Sequence, residues 1–315
     1  MRPAVAIQAC PGRAALAFCL LFFYDRRKVL YREDGESRPA DPGTGNGFPG
    51  VFGMEVSMYR EEIRISHHNR TVDGVFYRPE GIRQFPVVLL SHGYNGCKTD
   101  FETAAEYFSQ NGIGAVCFTF CGGSTRDVSG FPTTEMTLFT EKEDLCAVLD
   151  EVMSWDCTDR RHIYLFGASQ GGMISALTAE EREKDIDGLI LLYPALCIAD
   201  DWNRRFPNRE EIPDTQELWG MLLGRRFFES IRDFDIRKQI GRFRKRVLVL
   251  HGADDAVVPV SYGEWAASAY PNARLEIFQK EGHGFTPDGD RRMEGMTMAF
   301  VHECMEAERK GAAWS

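Results

Sequence analysis

The residues with the clearest chemical potential are Gly167-Ala168-Ser169-Gln170-Gly171, which follow the apolar run Ile163-Tyr164-Leu165-Phe166 and precede a helix-like segment. A strand entering G-x-S-x-G and leaving as a helix is the order that a nucleophile elbow requires, and it singles out Ser169. At the apex of such a turn, side chains two residues before and after the serine would collide with backbone, hence glycine at both positions. The helix beginning near Gln170 presents unpaired N–H groups and the positive end of its dipole to the serine oxygen, where negative charge develops during acyl transfer. The pentapeptide alone arises by chance in about one chain in ten of this length, so its companions decide the matter.

A serine hydroxyl is a poor nucleophile at neutral pH; a histidine must take its proton and a carboxylate must orient that histidine. Among the seven histidines, His283 lies in Glu281-Gly282-His283-Gly284-Phe285, a loop whose two glycines suggest close approach to another element. The buried-strand pattern Val247-Leu248-Val249-Leu250 ends in His251-Gly252-Ala253-Asp254-Asp255-Ala256-Val257-Val258-Pro259. That places carboxylates beyond the carboxyl end of a strand, where open α/β sheets carry their chemistry. The chain order Ser169, Asp255, His283 fits the arrangement, with Asp254 the nearest rival as the acid.

The segments GASQGG, HGADDAVVP and EGHGF resemble the nucleophile, acid and histidine motifs of the α/β-hydrolase superfamily, in its serine esterase and peptidase branches, over about Glu61 to Glu306. This resemblance implies that Asp255 is the acid of the triad. It also implies an oxyanion hole built from two backbone N–H groups, those of Tyr94 and Gln170. Tyr94 follows the strand Phe85-Pro86-Val87-Val88-Leu89-Leu90 in Ser91-His92-Gly93-Tyr94-Asn95-Gly96. Its side chain either lines the acyl pocket or covers the loop. His92 is expected to brace that loop, and His251 to pack or hydrogen-bond beside Asp255. His67, His68, His162 and His302 read as solvated or core residues, and Ser124 as a loop residue.

These motifs need a sheet to hold them. Alternating strand and helix patterns predict an α/β chain with the α/β-hydrolase fold: a mostly parallel doubly wound sheet with a small cap insertion. Strands are expected near Glu61–Ser66, Val72–Tyr77, Ala115–Phe120, Leu189–Tyr193 and Arg274–Phe278, and helices over Thr99–Gln110 and Glu141–Ser154. About fifty residues between the strands ending at Tyr193 and starting at Val247 form the cap, at about 198–243. It is rich in aromatic residues, among which Trp202 and Trp219 are candidates for contact with substrate; each equally well anchors the cap to the body.

The 315 residues and 43% apolar content suit one large domain, here 54–315, preceded by a poorly ordered leader and linker over 1–53. The apolar run Ala14–Tyr24 is too short to span a bilayer and lacks a cleavage pattern, so a cytoplasmic protein is expected, with secretion or anchoring the minor alternative. A net charge of −10 without a basic stripe argues against nucleic acid as a partner. Nine scattered cysteines suit reduced thiols, and Cys117 and Cys121 lack the partners of a zinc site. Neither metal nor cofactor is expected; the partner would be a small-molecule ester substrate. The resemblance is greatest to bacterial carboxylesterases of the cinnamoyl or feruloyl esterase type. Amides, peptides and thioesters suit the same groups, and a silent ligand-binding homologue is the alternative of another class.

Overall fold

A computed structural model describes residues 57–309 of the chain. The proposed leader over 1–53 lies outside the described residues. The first two strands, β1 (Met58–His67) and β2 (Arg70–Pro79), form an antiparallel hairpin turning at His68, which takes φ +48°. Both run longer than their apolar residues suggest, because ladder pairing continues through the exposed, charged positions of β1.

The chain continues through β3 (Phe85–Ser91), α1 (Glu102–Gln110), β4 (Gly114–Thr119), α2 (Leu138–Ser154) and β5 (Thr158–Ala168). Then follow α3 (Gln170–Glu181), β6 (Gly188–Leu192), a cap, β9 (Arg246–Gly252), α7 (Val260–Ala269), β10 (Ala273–Phe278) and α8 (Pro287–Arg309). Helix α2 starts three residues before the predicted Glu141. The apolar period marks only its packed face, whereas its start is set by Thr137, whose hydroxyl accepts from the N–H of Thr140 at 3.1 Å while the Thr140 hydroxyl accepts from that of Thr137 at 2.9 Å.

Eight strands form one sheet in the order β1-β2-β4-β3-β5-β6-β9-β10, parallel from β4 to β10 and antiparallel on either side of β2. Period-two alternation sorts the strand side chains to two faces. Val87, Leu89, Ile163, Leu165, Val247 and Val249 join the core under α2, α3 and α7. Val88, Leu90, Tyr164, Phe166, Leu248 and Leu250 join the other, under α1 and α8. With both faces covered, the central strands are buried and read as continuous apolar runs.

The cap between β6 and β9 comprises α4 (Ile198–Arg205), a hairpin of β7 (Thr215–Leu218) and β8 (Met221–Gly224), α5 (Arg225–Ser230) and α6 (Ile236–Gln239). Its hairpin turns on Trp219 and Gly220, both at positive φ (+45° and +78°), the signature of the tight turn that matches strand twist. Among the described residues, no helix is long and apolar enough to cross a membrane, and seven cysteines are free.

Candidate active site

Strand order decides where chemistry gathers. From β3 the chain moves first to β4 on one side and then to β5 on the other, so the loops leaving β3 and β5 diverge from adjacent strands at a switch point. The pairing of Ser91 with Gly167 brings both loops out side by side. Ser169 then occupies a strained backbone conformation, φ 52° and ψ −119°, between β5 and α3. The flanking glycines are dictated by contact: a Cβ on Gly167 would lie 2.2 Å from the carbonyl oxygen of Gly171, and one on Gly171 would lie 2.4 Å from those of Ser91 and His92.

Across the sheet, Leu192 pairs with Leu250 and Gly252 with Phe278, which aligns the ends of β6, β9 and β10. The loop after β10 carries His283 to Ser169, with Nε2 2.9 Å from Oγ. Its Nδ1 lies 2.8 Å from Asp255 Oδ2. Asp255 Oδ1 accepts from the N–H groups of Val257 and Val258, both at 2.8 Å, and His251 Nε2 stands 3.3 Å from Oδ2. Burial pushes the Asp255 carboxyl up, but the hydrogen bonds of His251 and His283 outweigh it and hold the group well below the usual carboxylate range. An ionised Asp255 accepts only, which assigns the proton on His283 to Nδ1 and leaves Nε2 free to accept from Ser169.

Asp254, the rival acid, is exposed, and its N–H donates to the carbonyl of Glu281 at 2.9 Å. It ties the acid loop to the histidine loop, while Asp255 meets the imidazole. The histidine loop is further closed by Glu281, which accepts from both the N–H (2.6 Å) and the hydroxyl (2.5 Å) of Thr286. The Tyr193 ring, at φ +35°, packs on His283 with centroids 4.6 Å apart.

Tyr94 and Gln170, the two residues expected to offer backbone amides, both lie beside Ser169. Gln170 is the first residue of α3, so its N–H has no intrahelical acceptor. The loop after β3 packs so tightly that a Cβ on Gly93 would lie 3.2 Å from Ser169 Cβ, which sets Tyr94 beside it. His92 braces that loop from within: Nδ1 donates to the carbonyl of Gly93 at 2.7 Å and Nε2 accepts the N–H of Phe120 at 3.0 Å. Its complete burial lowers its pKa and keeps the ring neutral, as those two bonds require.

The Tyr94 side chain turns to the cap, its hydroxyl donating to the carbonyl of Leu218 at 3.0 Å and its ring packing edge-on against Trp219. Asn95 donates to the carbonyl of Trp219 at 3.2 Å and accepts from Thr125 N–H at 2.9 Å, joining the loop after β3, the cap and the loop after β4. Trp219 therefore sits over the loop after β3. Trp202 instead stacks with Phe206 and meets Phe228 edge-on inside the cap, with Arg205 above its ring at 5.4 Å.

Of the remaining histidines, His67 pairs with buried Asp144 at 2.7 Å, and His162 sits buried between Asp187 and Glu308, each at 2.9 Å. Sequence reasoning passed over Asn95, Glu281 and Glu141. The Asn95 backbone at φ +54° leaves a faint trace in its residue type. Glu141 leaves none, since it reads as one more charge on a helix yet is fully buried against the Gln170 side chain.

Comparison with known proteins places these observations in context. Residues 83–233 match the family model for serine aminopeptidase, S33. A putative carbamate hydrolase RutD from Caulobacter sp. (strain K31) is 30% identical over 115 residues, 36% of this chain and 41% of that protein. The pimeloyl-[acyl-carrier protein] methyl ester esterase of Aromatoleum aromaticum is 40% identical over 55 residues, 18% of this chain and 22% of that protein. The chain thus spans less than half the length of these two curated relatives. Among solved structures, the ferulic acid complex of Est1E from Butyrivibrio proteoclasticus superposes with a TM-score of 0.71 at 21% identity, over 78% of this chain and 99% of that one.

Proposed function

We propose that this chain, an α/β-hydrolase by fold, is a serine esterase that cleaves carboxylic esters through an acyl-enzyme intermediate. The observation that carries the reading is the continuous hydrogen-bonded line from Ser169 Oγ through both nitrogens of His283 to Asp255. His283 Nε2 takes the proton of Ser169 as Oγ attacks the acyl carbon, and Asp255 stabilises the resulting imidazolium. The backbone N–H groups of Tyr94 and Gln170 hold the oxyanion. His283 then returns the proton to the leaving alkoxide, and a water activated by the same nitrogen hydrolyses the acyl-enzyme.

Ester substrates are favoured by what the similar proteins are called, a methyl ester esterase and a protein holding ferulic acid. A short acyl or hydroxycinnamoyl ester is the substrate class we assign, with Trp219, the cap residue packed on Tyr94, as the side chain proposed to meet it. The name of the matching family favours a second reading, cleavage of an amino-terminal peptide bond by the same groups. A panel of p-nitrophenyl esters, methyl ferulate and aminoacyl anilides separates the two. Ester turnover with little anilide cleavage is expected; anilide rates above ester rates would overturn the assignment.

A further inference from the structure

Glu141 is a buried ionisable side chain that the mechanism above leaves unused. It lies in the first turn of α2, fully buried, and its Oε2 is 2.7 Å from the Gln170 side-chain nitrogen. Its Oε1 is buried without a hydrogen-bond partner and faces the loop after β4, where a Cβ on Gly123 would lie 2.6 Å from it. Gln170 is itself 3% exposed. Its side chain is thus held by Glu141, while its backbone N–H, at the first position of α3 and next to Ser169, has no acceptor within the helix.

We propose that Glu141 is a positioning residue for the oxyanion amide of Gln170 and works as the neutral carboxylic acid, so that loss of its proton lowers turnover. The inference rests on the esterase reading above. A carboxylate here would place a full negative charge, in a dry setting, behind an amide that must stabilise a developing negative charge. The neutral acid removes that charge. It also suits the contact at Oε2, since an amide and a carboxylic acid can exchange donor and acceptor roles at that distance.

The surroundings favour the proton. Burial pushes the carboxyl up to about 8; the Gln170 hydrogen bond opposes this, and Asp144 one turn along α2 adds to it. Asp144 is itself paired with His67 and Arg70 from the β1–β2 hairpin. From the loop after β3, Tyr94 stays neutral, because burial first of all holds the phenol above its ordinary value and an ionised Glu141 would raise it further.

The test compares the full chain with Glu141→Gln, Glu141→Ala and Gln170→Met, reading kcat and KM on p-nitrophenyl acetate against pH. Glu141→Ala and Gln170→Met are expected to lower kcat about 10- to 100-fold with KM changed less than about threefold, a part of what loss of an oxyanion donor costs. Glu141→Gln is expected to keep most of kcat at neutral pH and to lack the fall in kcat expected of the native chain above about pH 8. An unchanged alkaline fall in Glu141→Gln would overturn the proposal, as would a loss confined to KM in the other two. Should Glu141→Ala fail to fold, the profile of Glu141→Gln decides alone. A native chain with no turnover of any ester would instead sink the esterase reading, and this inference with it.

Discussion

His283 Nε2 lies 2.9 Å from Ser169 Oγ although 114 residues separate them, and nothing in the local sequence of either makes them meet. The parallel register of β5, β6, β9 and β10 does so, by delivering each loop at the same edge of the sheet. Replacing Ser169 with alanine leaves that frame untouched. We expect Ser169→Ala to lower kcat/KM for p-nitrophenyl acetate by at least about 10⁴-fold. Its thermal unfolding should match the native chain within a few degrees, which circular dichroism checks.

The two adjacent aspartates should separate cleanly. Asp255→Asn keeps the shape of the acid but loses the charge that fixes the His283 tautomer, and a drop in kcat of about 10³- to 10⁴-fold is expected. Asp254 is exposed and contributes its backbone N–H to the histidine loop, so Asp254→Asn should cost less than about threefold. Steady-state rates on one ester distinguish them, and the reverse order would reassign the acid.

Glycine at 171 is held by contact with backbone, which cannot retreat as a side chain can. A methyl group there would sit 2.4 Å from the carbonyls of Ser91 and His92, so Gly171→Ala should both lower the melting temperature by several degrees and abolish turnover. Gly295, inside α8 with open space around its Cα, is the control. There alanine should add about 0.5–1 kcal/mol of stability, with activity unchanged. Thermal melts and ester assays on both variants check the pair.

Stability should also report the proton on Glu141. Its folded-state value is raised to about 8, so the folded chain keeps a proton that the unfolded chain releases near the ordinary glutamate range. The associated stabilisation is complete below that range and is lost as pH rises through about 8. Glu141→Gln cannot titrate and should escape that loss. The melting temperature of the native chain is therefore expected to fall relative to Glu141→Gln between about pH 5 and 8.5, as scanning fluorimetry would read. Asp255 acts with the opposite sign: its lowered value stabilises the fold above the usual aspartate range and is lost as pH falls.

Much of this was legible because steric and periodic demands act locally. Gly167 and Gly171 report a turn with no room for a side chain, and the apolar runs of β3, β5 and β9 report strands covered on both faces. The chain order of serine, aspartate and histidine followed from motifs of a few residues each. Most of what escaped notice depends on distant partners. Asn95 matters through Trp219 and Thr125, and Glu141 through Gln170, contacts made only once the chain is folded, whereas Glu281 meets Thr286 only five residues along its own loop. The start of α2 was misplaced for a related reason: a Thr137–Thr140 cap looks in sequence like any polar turn.

The most direct test of the nucleophile is covalent capture. The chain is incubated with a fluorophosphonate probe and digested, and the modified peptide is identified by mass spectrometry, with Ser169→Ala run alongside. One phosphonyl group on Ser169 in the native chain and none in the variant is the outcome this mechanism requires. Folded protein that stays unlabelled, or that carries the label on another residue, would contradict it.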